Sequence, residues 1–472
     1  MSPPDWNWAD FCGVQLLQVA LYHRSRLPAD LVEKVDAAIR HAARSIQRRN
    51  MGPHYTNIAI MGTYVTLITA ELYDLEDLRA YAMLRLRRFH AYTIEQGAFT
   101  EYNSPTYTIV ALQEIGRLRL QAKDPEARRL ANDLYRVAWQ EIAQHFHPPT
   151  RQWAGPHSRC YNTLLPAKTL ALFQHATEGR VRFFTNDPPL SPEEFRLPLQ
   201  CPPDLVHFFA SLEQPRELVE TFVKDEFPVI GTTYLTPDFT VGSVNRGDLW
   251  NQRRSLIAYW GTAREPAYLH LRFLHDDYDF ADAQFLSAQR QGTVLSGVVL
   301  ATDGGNTHVS LDRITNGNVR ARDLRLRFEF GGAAGLEKPP IPGKLDTAIN
   351  LTFGQLHLDL QIPFARFGNE PCRLESGVDP AKGIAWIDVV FYAGESREFR
   401  LDQLEQAAAG FWLRVGASQQ PLPAVTASAQ DGSLSLKTVR PDLELNFPIK
   451  PAKVSEIQRR SLTPRASRNT DP

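Results

Sequence analysis

The sequence predicts an α+β chain of more than one domain: helical hairpins in an arc or ring, followed by a large antiparallel β-sandwich. Three observations predict it. The 472 residues are too many for one ordinary core. Apolar residues recur with a helical period as far as residue 180 or so. After Pro228 the period falls to two, with turn residues at short, regular intervals. The expected organisation is a helical domain over residues 1–180, a proline-rich connection over 181–228, a sandwich over 229–450 and a disordered tail over 451–472.

Residues 30–49 follow Pro28 and carry Leu31, Val35, Ala38, Ile39, Ala42 and Ile46, the stripe of an amphipathic helix. Residues 55–73 are apolar almost all round (Ile58, Ala59, Ile60, Met61, Val65, Leu67, Ile68), which predicts a helix buried on every side. Residues 75–92 are rich in arginine and should be more exposed. Further helices are expected at 106–122, 125–145 and 161–176. Buried and exposed helices then alternate, with the buried ones lining the inside of the array. Short helices are expected at 203–212 and 217–223. Strands are expected at 229–235, 255–260, 267–273, 292–301, 308–312, 324–330, 348–353, 356–362, 385–392, 397–401, 411–415, 425–429, 433–439 and 443–447.

Hydrophobic residues at 43%, charged residues at 22% and aromatics at 10% describe a globular chain. The formal net charge of -1 supplies no basic field, so no nucleic-acid partner is expected. No apolar run has membrane length, so no membrane partner is expected either. Cys12, Cys160, Cys201 and Cys372 are far apart without metal or redox spacing, which predicts free thiols. The start, Met1 to Trp6, lacks the basic and apolar regions of a signal peptide, which predicts a cytoplasmic protein unless the N-terminus is trimmed. No cofactor or metal is expected.

Four polar constellations stand out. Glu101, Tyr102, Asn103, Ser104, Pro105, Thr106 and Tyr107 hold more hydrogen-bonding groups than a core needs. Ser104 and Pro105 fit the start of a helix, which leaves Glu101, Tyr102, Asn103 and Tyr107 to explain. Asn57 lies in the apolar helix and must be paired, either structurally or to a ligand. A second loop, residues 155–161, carries His157, Arg159 and Tyr161 and should open the helix that follows. The block from Thr232 to Trp260 holds Asn245, Arg246, Trp250, Asn251, Gln252 and Arg253, types that read hydroxyls and carboxylates or stack on a pyranose. The acidic stretches at 275–279 and 303–308 match no EF-hand spacing and read as solvated turns. His145 and His147 are expected to end a helix, where positive charge suits the dipole.

Helices followed by a large sandwich, with the 101–107 loop, the 155–161 loop and the 232–260 block, resemble the heparinase II/III-type and chondroitin/alginate-lyase-type polysaccharide lyases. The resemblance spans residues 10–451 at the level of architecture. It implies an incomplete α/α toroid and an antiparallel β-sandwich with an acidic oligo- or polysaccharide held in a cleft between them. It also implies β-elimination, in which an amide quenches the uronate carboxylate, a base takes the proton on the adjacent carbon, and an acid protonates the leaving oxygen. By position, Asn103 or Asn57 would be the neutraliser. His157 and Tyr161, with Tyr107 as rival, would be base and acid. Arg159 and Arg253 would clamp the carboxylate, and Tyr102, Asn245 and Trp250 would bind sugar.

Two other readings remain open from the sequence. A glycoside hydrolase would use Glu101 as acid, with Glu95 or Asp248 as partner about 5–10 Å away. A non-catalytic carbohydrate-binding protein would keep the fold without the chemistry.

Overall fold

The computed structural model describes residue 5, residues 7–304, residue 314, and residues 317–419 and 424–461. The chain divides into two compact units, Met1–Gln144 with Pro166–Phe209, and His145–Leu165 with Ala210–Pro472.

The first unit is helical. Its main helices are α1 (Trp8–Tyr22), α2 (Ala29–Arg49), α3 (Thr56–Tyr73), α4 (Glu76–Gln96), α5 (Tyr107–Gln121), α6 (Pro125–His145, whose last residue belongs to the second unit) and α7 (Ala167–Ala176). The centre is α3, packed by α1, α2, α4 and α5 and buried from Thr56 through Glu71. A helix can be buried all round when its polar side chains are satisfied from within. Thr63 donates to the Ala59 carbonyl at 2.7 Å, and Thr66 to the Gly62 carbonyl at 2.7 Å. Each fully buried Ile, Leu or Val of α3 stabilises the unit by about 1.5–3 kcal/mol. Trp139 of α6 packs with Phe173 of α7 and with Phe209 at centroid distances of 6.3 Å, which ties the returning chain to the array.

The second unit is built from antiparallel sheets. Among the described residues the larger one has nine strands. Its main path runs Arg373–Asp379, Ile384–Arg400, Asn318–Gly332, Pro266–His275, Leu256–Gly261, Phe239–Val244, Val229–Leu235 and Arg216–Val223. A seven-stranded sheet runs Ile349–Phe353, Leu356–Phe367, Ala407–Gly416, Thr293–Leu300, Ala283–Arg290 and Arg246–Asp248, with Glu370–Pro371 beside it. The two pack face to face through aromatic pairs: Phe328 with Phe411 at 5.0 Å, Trp260 with Phe353 at 5.0 Å, and Phe367 with Phe391 at 6.1 Å. This is the sandwich that the alternating pattern predicts. A three-stranded sheet, Val425–Gln430, Ser433–Val439 and Asp442–Pro448, shares a core with the seven-stranded one through Leu434, Leu436, Phe447, Leu295 and Trp412.

The structure departs from the sequence expectations at several places. The expected 161–176 helix begins at Ala167, because His157, Cys160 and Thr163 spend backbone groups on the sandwich and the Leu165 N–H donates to Gln152 Oε1. The expected helix at 217–223 is the edge strand Arg216–Val223, whose β-branched residues pair with Val229–Leu235. Residues 454–460, expected to be disordered, form a helix that buries Ile457 in the small-sheet core. The expected 308–312 strand lies outside the described residues.

His145 ends α6 as expected, whereas His147 lies beyond the helix. Both are fully buried. His145 faces Glu220 at 3.1 Å. His147 stands in the two-residue strand Phe146–His147, its ring nitrogens bonded to the Thr150 hydroxyl and the Thr236 carbonyl, each at 2.7 Å. Burial lowers its pKa to about 4, so the ring is neutral at physiological pH. The unfolded chain then binds a proton between pH 6.5 and 4 that the folded one refuses, and stability falls as pH falls through that window. The expected loss from His147 is about 3 kcal/mol by pH 4. Chemical denaturation across that window should show it, with a flatter slope for His147→Gln.

Candidate functional site

In the first unit, the sequence-selected residues close the N-terminus of α3. Glu101 Oε2 accepts from the Asn57 backbone N–H at 2.9 Å and from Asn57 Nδ2 at 2.6 Å. An anionic cap on exposed amides is what a helix N-terminus favours. The Glu101 N–H donates to Thr56 Oγ1 at 3.2 Å. Asn103 is fully buried and holds a left-handed backbone, φ 42°, which asparagine tolerates better than most residues. Tyr102 is buried. Ser104 Oγ accepts the Tyr107 N–H at 2.8 Å, so Ser104 does help to start α5. The half-buried Tyr107 is the first residue of that helix.

The second polar loop belongs to the other unit. Residues 155–165 lie on the nine-stranded sheet, on the face turned away from the seven-stranded one. The seat is the Gly155 carbonyl, which accepts from Thr233 Oγ1 at 2.7 Å. It stands against Gly242, where a Cβ would come within 1.9 Å of that oxygen. His157 and Arg254 exchange backbone hydrogen bonds at 3.1 and 3.0 Å. The Cys160 N–H donates to the Gln252 carbonyl at 2.6 Å, and Tyr259 Oη donates to the Thr163 carbonyl at 2.7 Å. The third and fourth constellations thus meet. Arg159 stacks over Trp250 at 4.9 Å and donates to Gln252 Oε1 at 2.8 Å.

Several selected side chains of this unit are engaged in structure. Trp250 is 2% exposed, with Arg159 over its ring. Asn245 joins backbone segments: Oδ1 accepts the Ile230 N–H at 2.8 Å, and Nδ2 donates to the Pro228 carbonyl at 3.1 Å. Arg253 pairs with Asp248 at 3.0 Å. Tyr161 is 53% exposed, whereas His157 is 1% exposed.

The register of the sheet explains what lies under the loop. Phe328, Phe330 and Trp260 face the sandwich core, so their neighbours face out. One row across the outer face reads Gly242, Ile257, His270, Glu329, Trp386 and Gly377. Tyr259 and Tyr268 pair beside it, and Arg272, Arg327 and Asp388 form the row on the other side. Arg272 binds Asp279 at 2.7 and 2.9 Å and Glu329 at 2.7 Å, and Tyr268 Oη donates to Glu329 at 3.2 Å.

Arg254 is the exception to this pairing. It is 5% exposed. Its guanidinium donates to the carbonyls of Asn251 and Arg253 at 2.8 and 2.9 Å and to Thr163 Oγ1 at 3.3 Å. Among the described residues no carboxylate pairs with it, and its buried Nε has no partner. A buried cation without a counterion costs several kcal/mol. Its field is felt around it. Burial first, then Arg254 and Arg272, hold the His270 imidazole well below its ordinary value, so it is neutral. Burial raises the phenols of Tyr259 and Tyr268, with Glu329 adding to the rise at Tyr268, so both are protonated. The arrangement can attract an anion, and it holds neutral imidazole and protonated phenol beside it.

Arg254 and Tyr259 lie within the 232–260 block without being singled out, and His270 and Tyr268 lie outside the constellations selected from sequence. Their signal is the strict alternation of Tyr268, His270 and Arg272 with Leu269, Leu271 and Phe273, which marks one polar sheet face. Arg254 adjoins the selected Arg253.

A family model described as "Domain of unknown function (DUF8769)" matches residues 3–176. No curated protein matches the chain. Among solved structures, the chain is similar to a heparinase III at 10% identity, over 94% of this chain and 75% of that one, with a TM-score of 0.45. It is also similar to a chondroitin AC lyase of Streptomyces coelicolor A3 in complex with chondroitin sulphate, at 11% identity, over 95% of this chain and 73% of that one, with a TM-score of 0.47.

The seat of the loop can be tested at Gly242. A Cβ there meets the Gly155 carbonyl at 1.9 Å and the Pro156 nitrogen at 2.8 Å, both backbone. Gly242→Ala is expected to cost about 2 kcal/mol or more. It should also open the 155–165 segment to limited proteolysis at sites protected in the parent protein.

Proposed function

We propose that the protein is a lyase that cleaves a uronate-containing glycan by β-elimination on the outer face of the nine-stranded sheet. The observation that carries this reading is Arg254, a buried guanidinium without a carboxylate partner among the described residues. A uronate carboxylate supplies the missing charge. Quenching that carboxylate acidifies the proton on the neighbouring ring carbon, which is otherwise a very weak acid.

The chemistry then follows in balance. His157 takes the ring-carbon proton. The electron pair left behind forms the carbon–carbon double bond as the glycosidic C–O bond breaks. Tyr268, kept protonated by burial and by Glu329, gives its proton to the leaving oxygen. Its phenolate is reprotonated from solvent as the imidazolium of His157 releases its proton. Neutral His270 borders the site without adding charge. The reading rests on the second unit alone. In it Arg254 replaces Arg159 and Arg253 as the carboxylate clamp, since those two are held by Gln252 and Asp248.

Elimination is favoured over hydrolysis by the carboxylates on this face. A hydrolase needs one protonated carboxyl as acid. Glu329 and Asp279 are both bound to Arg272. In the first unit, the Glu101 carboxylate accepts two hydrogen bonds from Asn57 as a helix cap.

The test is incubation with a panel of uronate polymers, read by the ultraviolet absorbance of the unsaturated product and by new reducing ends. Both signals are expected together. Arg254→Ala should lower kcat/KM by about 100-fold or more, the usual effect of removing a charge-stabilising donor, with partial recovery in Arg254→Lys. New reducing ends without the absorbance, or an unchanged Arg254→Ala, would defeat the proposal.

A further inference from the structure

One helix of the first unit presents apolar residues on both faces and is covered on one. We infer that the bare face of α1 pairs with the same face of a second copy of the chain, antiparallel, about a two-fold axis at Gln15. The inference uses the helical unit alone and is independent of the glycan reading.

α1 packs on α2 and α3 and buries Gly13, Val14, Leu17 and Ala20. The approach is close at Gly13, where a Cβ would come within 2.8 Å of the Val65 side chain. The opposite face holds Trp8, Phe11, Cys12, Gln15, Val19 and Tyr22, which fall within about 100° of one another around the helix. Trp8 is 61% exposed, Phe11 43% and Tyr22 44%. From Trp8 to Tyr22 the one charged residue is Asp10, and it is buried. The neighbouring α2 has the opposite habit and turns Glu33, Lys34, Arg40 and Arg48 to solvent. An uncharged, aromatic face along a whole helix marks a contact surface.

The order of the residues identifies the occupant. Trp8 and Tyr22 each lie seven residues from Gln15, and Phe11 and Val19 each lie four. Turned about an axis at Gln15, the stripe meets itself: Trp8 against Tyr22 of the partner subunit, Phe11 against Val19 of the partner subunit, and Gln15 against its own copy. Two amides facing across the axis can exchange a pair of hydrogen bonds, each N–H donating to the other's carbonyl. The ends are complementary in charge. Asp5 is exposed just before the helix, and Arg24 and Arg26 are exposed just after it. The antiparallel arrangement sets Asp5 against Arg26 of the partner subunit, whereas a parallel one would set like against like. An interface of one helix pair lies at the small end of specific contacts, with an expected Kd of about 10–100 µM.

The experiment is sedimentation velocity of the full chain from about 1 to about 500 µM. A monomer–dimer equilibrium is expected, and Phe11→Glu should raise its Kd at least about tenfold. Gln15→Glu and Gln15→Lys should each be monomeric over the same range, because the axis sets like charges side by side. An equimolar mixture of the two should restore the dimer, which also shows that both variants are folded. With helix axes about 8–10 Å apart, two residues on the axis have Cα atoms about 4–5 Å apart, within disulfide range. Gln15→Cys in a Cys12→Ser background should therefore give a disulfide-linked dimer under mild oxidation. The native Cys12 pair, offset by about 9 Å along the helices, should not. A chain that stays monomeric at the highest concentration overturns the proposal. So does a dimer that the Gln15 variants leave intact, or a mixture of them no more associated than its components.

Discussion

The contact between the Gly155 carbonyl and the backbone of Gly242 carries the rest of the site. It lets a loop lie flat on a sheet at a distance that no side chain would permit. Once seated, the loop spends its polar groups on the strands beneath it: His157 on Arg254, Cys160 on Gln252, and Thr163 on Tyr259 and Arg254. These bonds explain why the chain stays irregular until Pro166 and only then enters α7. They also bury Arg254, and in doing so create the charge imbalance that makes the face chemically interesting.

Two electrostatic regimes share that face. Toward Asp388 every arginine of the row and its neighbours, Arg272, Arg325, Arg327 and Arg373, holds a carboxylate. Toward the loop, Arg254 stands without an acidic partner among the described residues, next to an imidazole it helps to hold neutral and phenols that burial holds protonated. Matched pairs contribute order at small net energy, whereas an unmatched buried cation is expensive and is more simply understood as a receptor for an anion.

The helical unit follows different physics. The chain stacks α1, α2, α4 and α5 on a helix that is buried on all sides, and the hydroxyls of Thr63 and Thr66 are folded back on its own carbonyls. The one end that needs outside help, its N-terminus, receives Glu101. Asn57 and Glu101 are paired here because a buried amide and a buried carboxylate each cost less together than alone.

The sequence by itself determined the elements that depend on periodicity. The buried α3, the amphipathic α2, and the outward polar and inward apolar alternation of residues 267–273 and 324–330 are all legible in it, because local period decides which face a side chain occupies. It also marked the polar loops, since such densities of hydrogen-bonding groups need partners. Tertiary structure alone decided what those loops do. That the 155–165 loop joins the sandwich unit depends on Gly242, nearly ninety residues away, being bare. That Arg254 and not its neighbour Arg253 lacks an acid depends on where Asp248 falls across a turn. Pairings between distant segments are set by sheet register and close approach, and no local pattern encodes them.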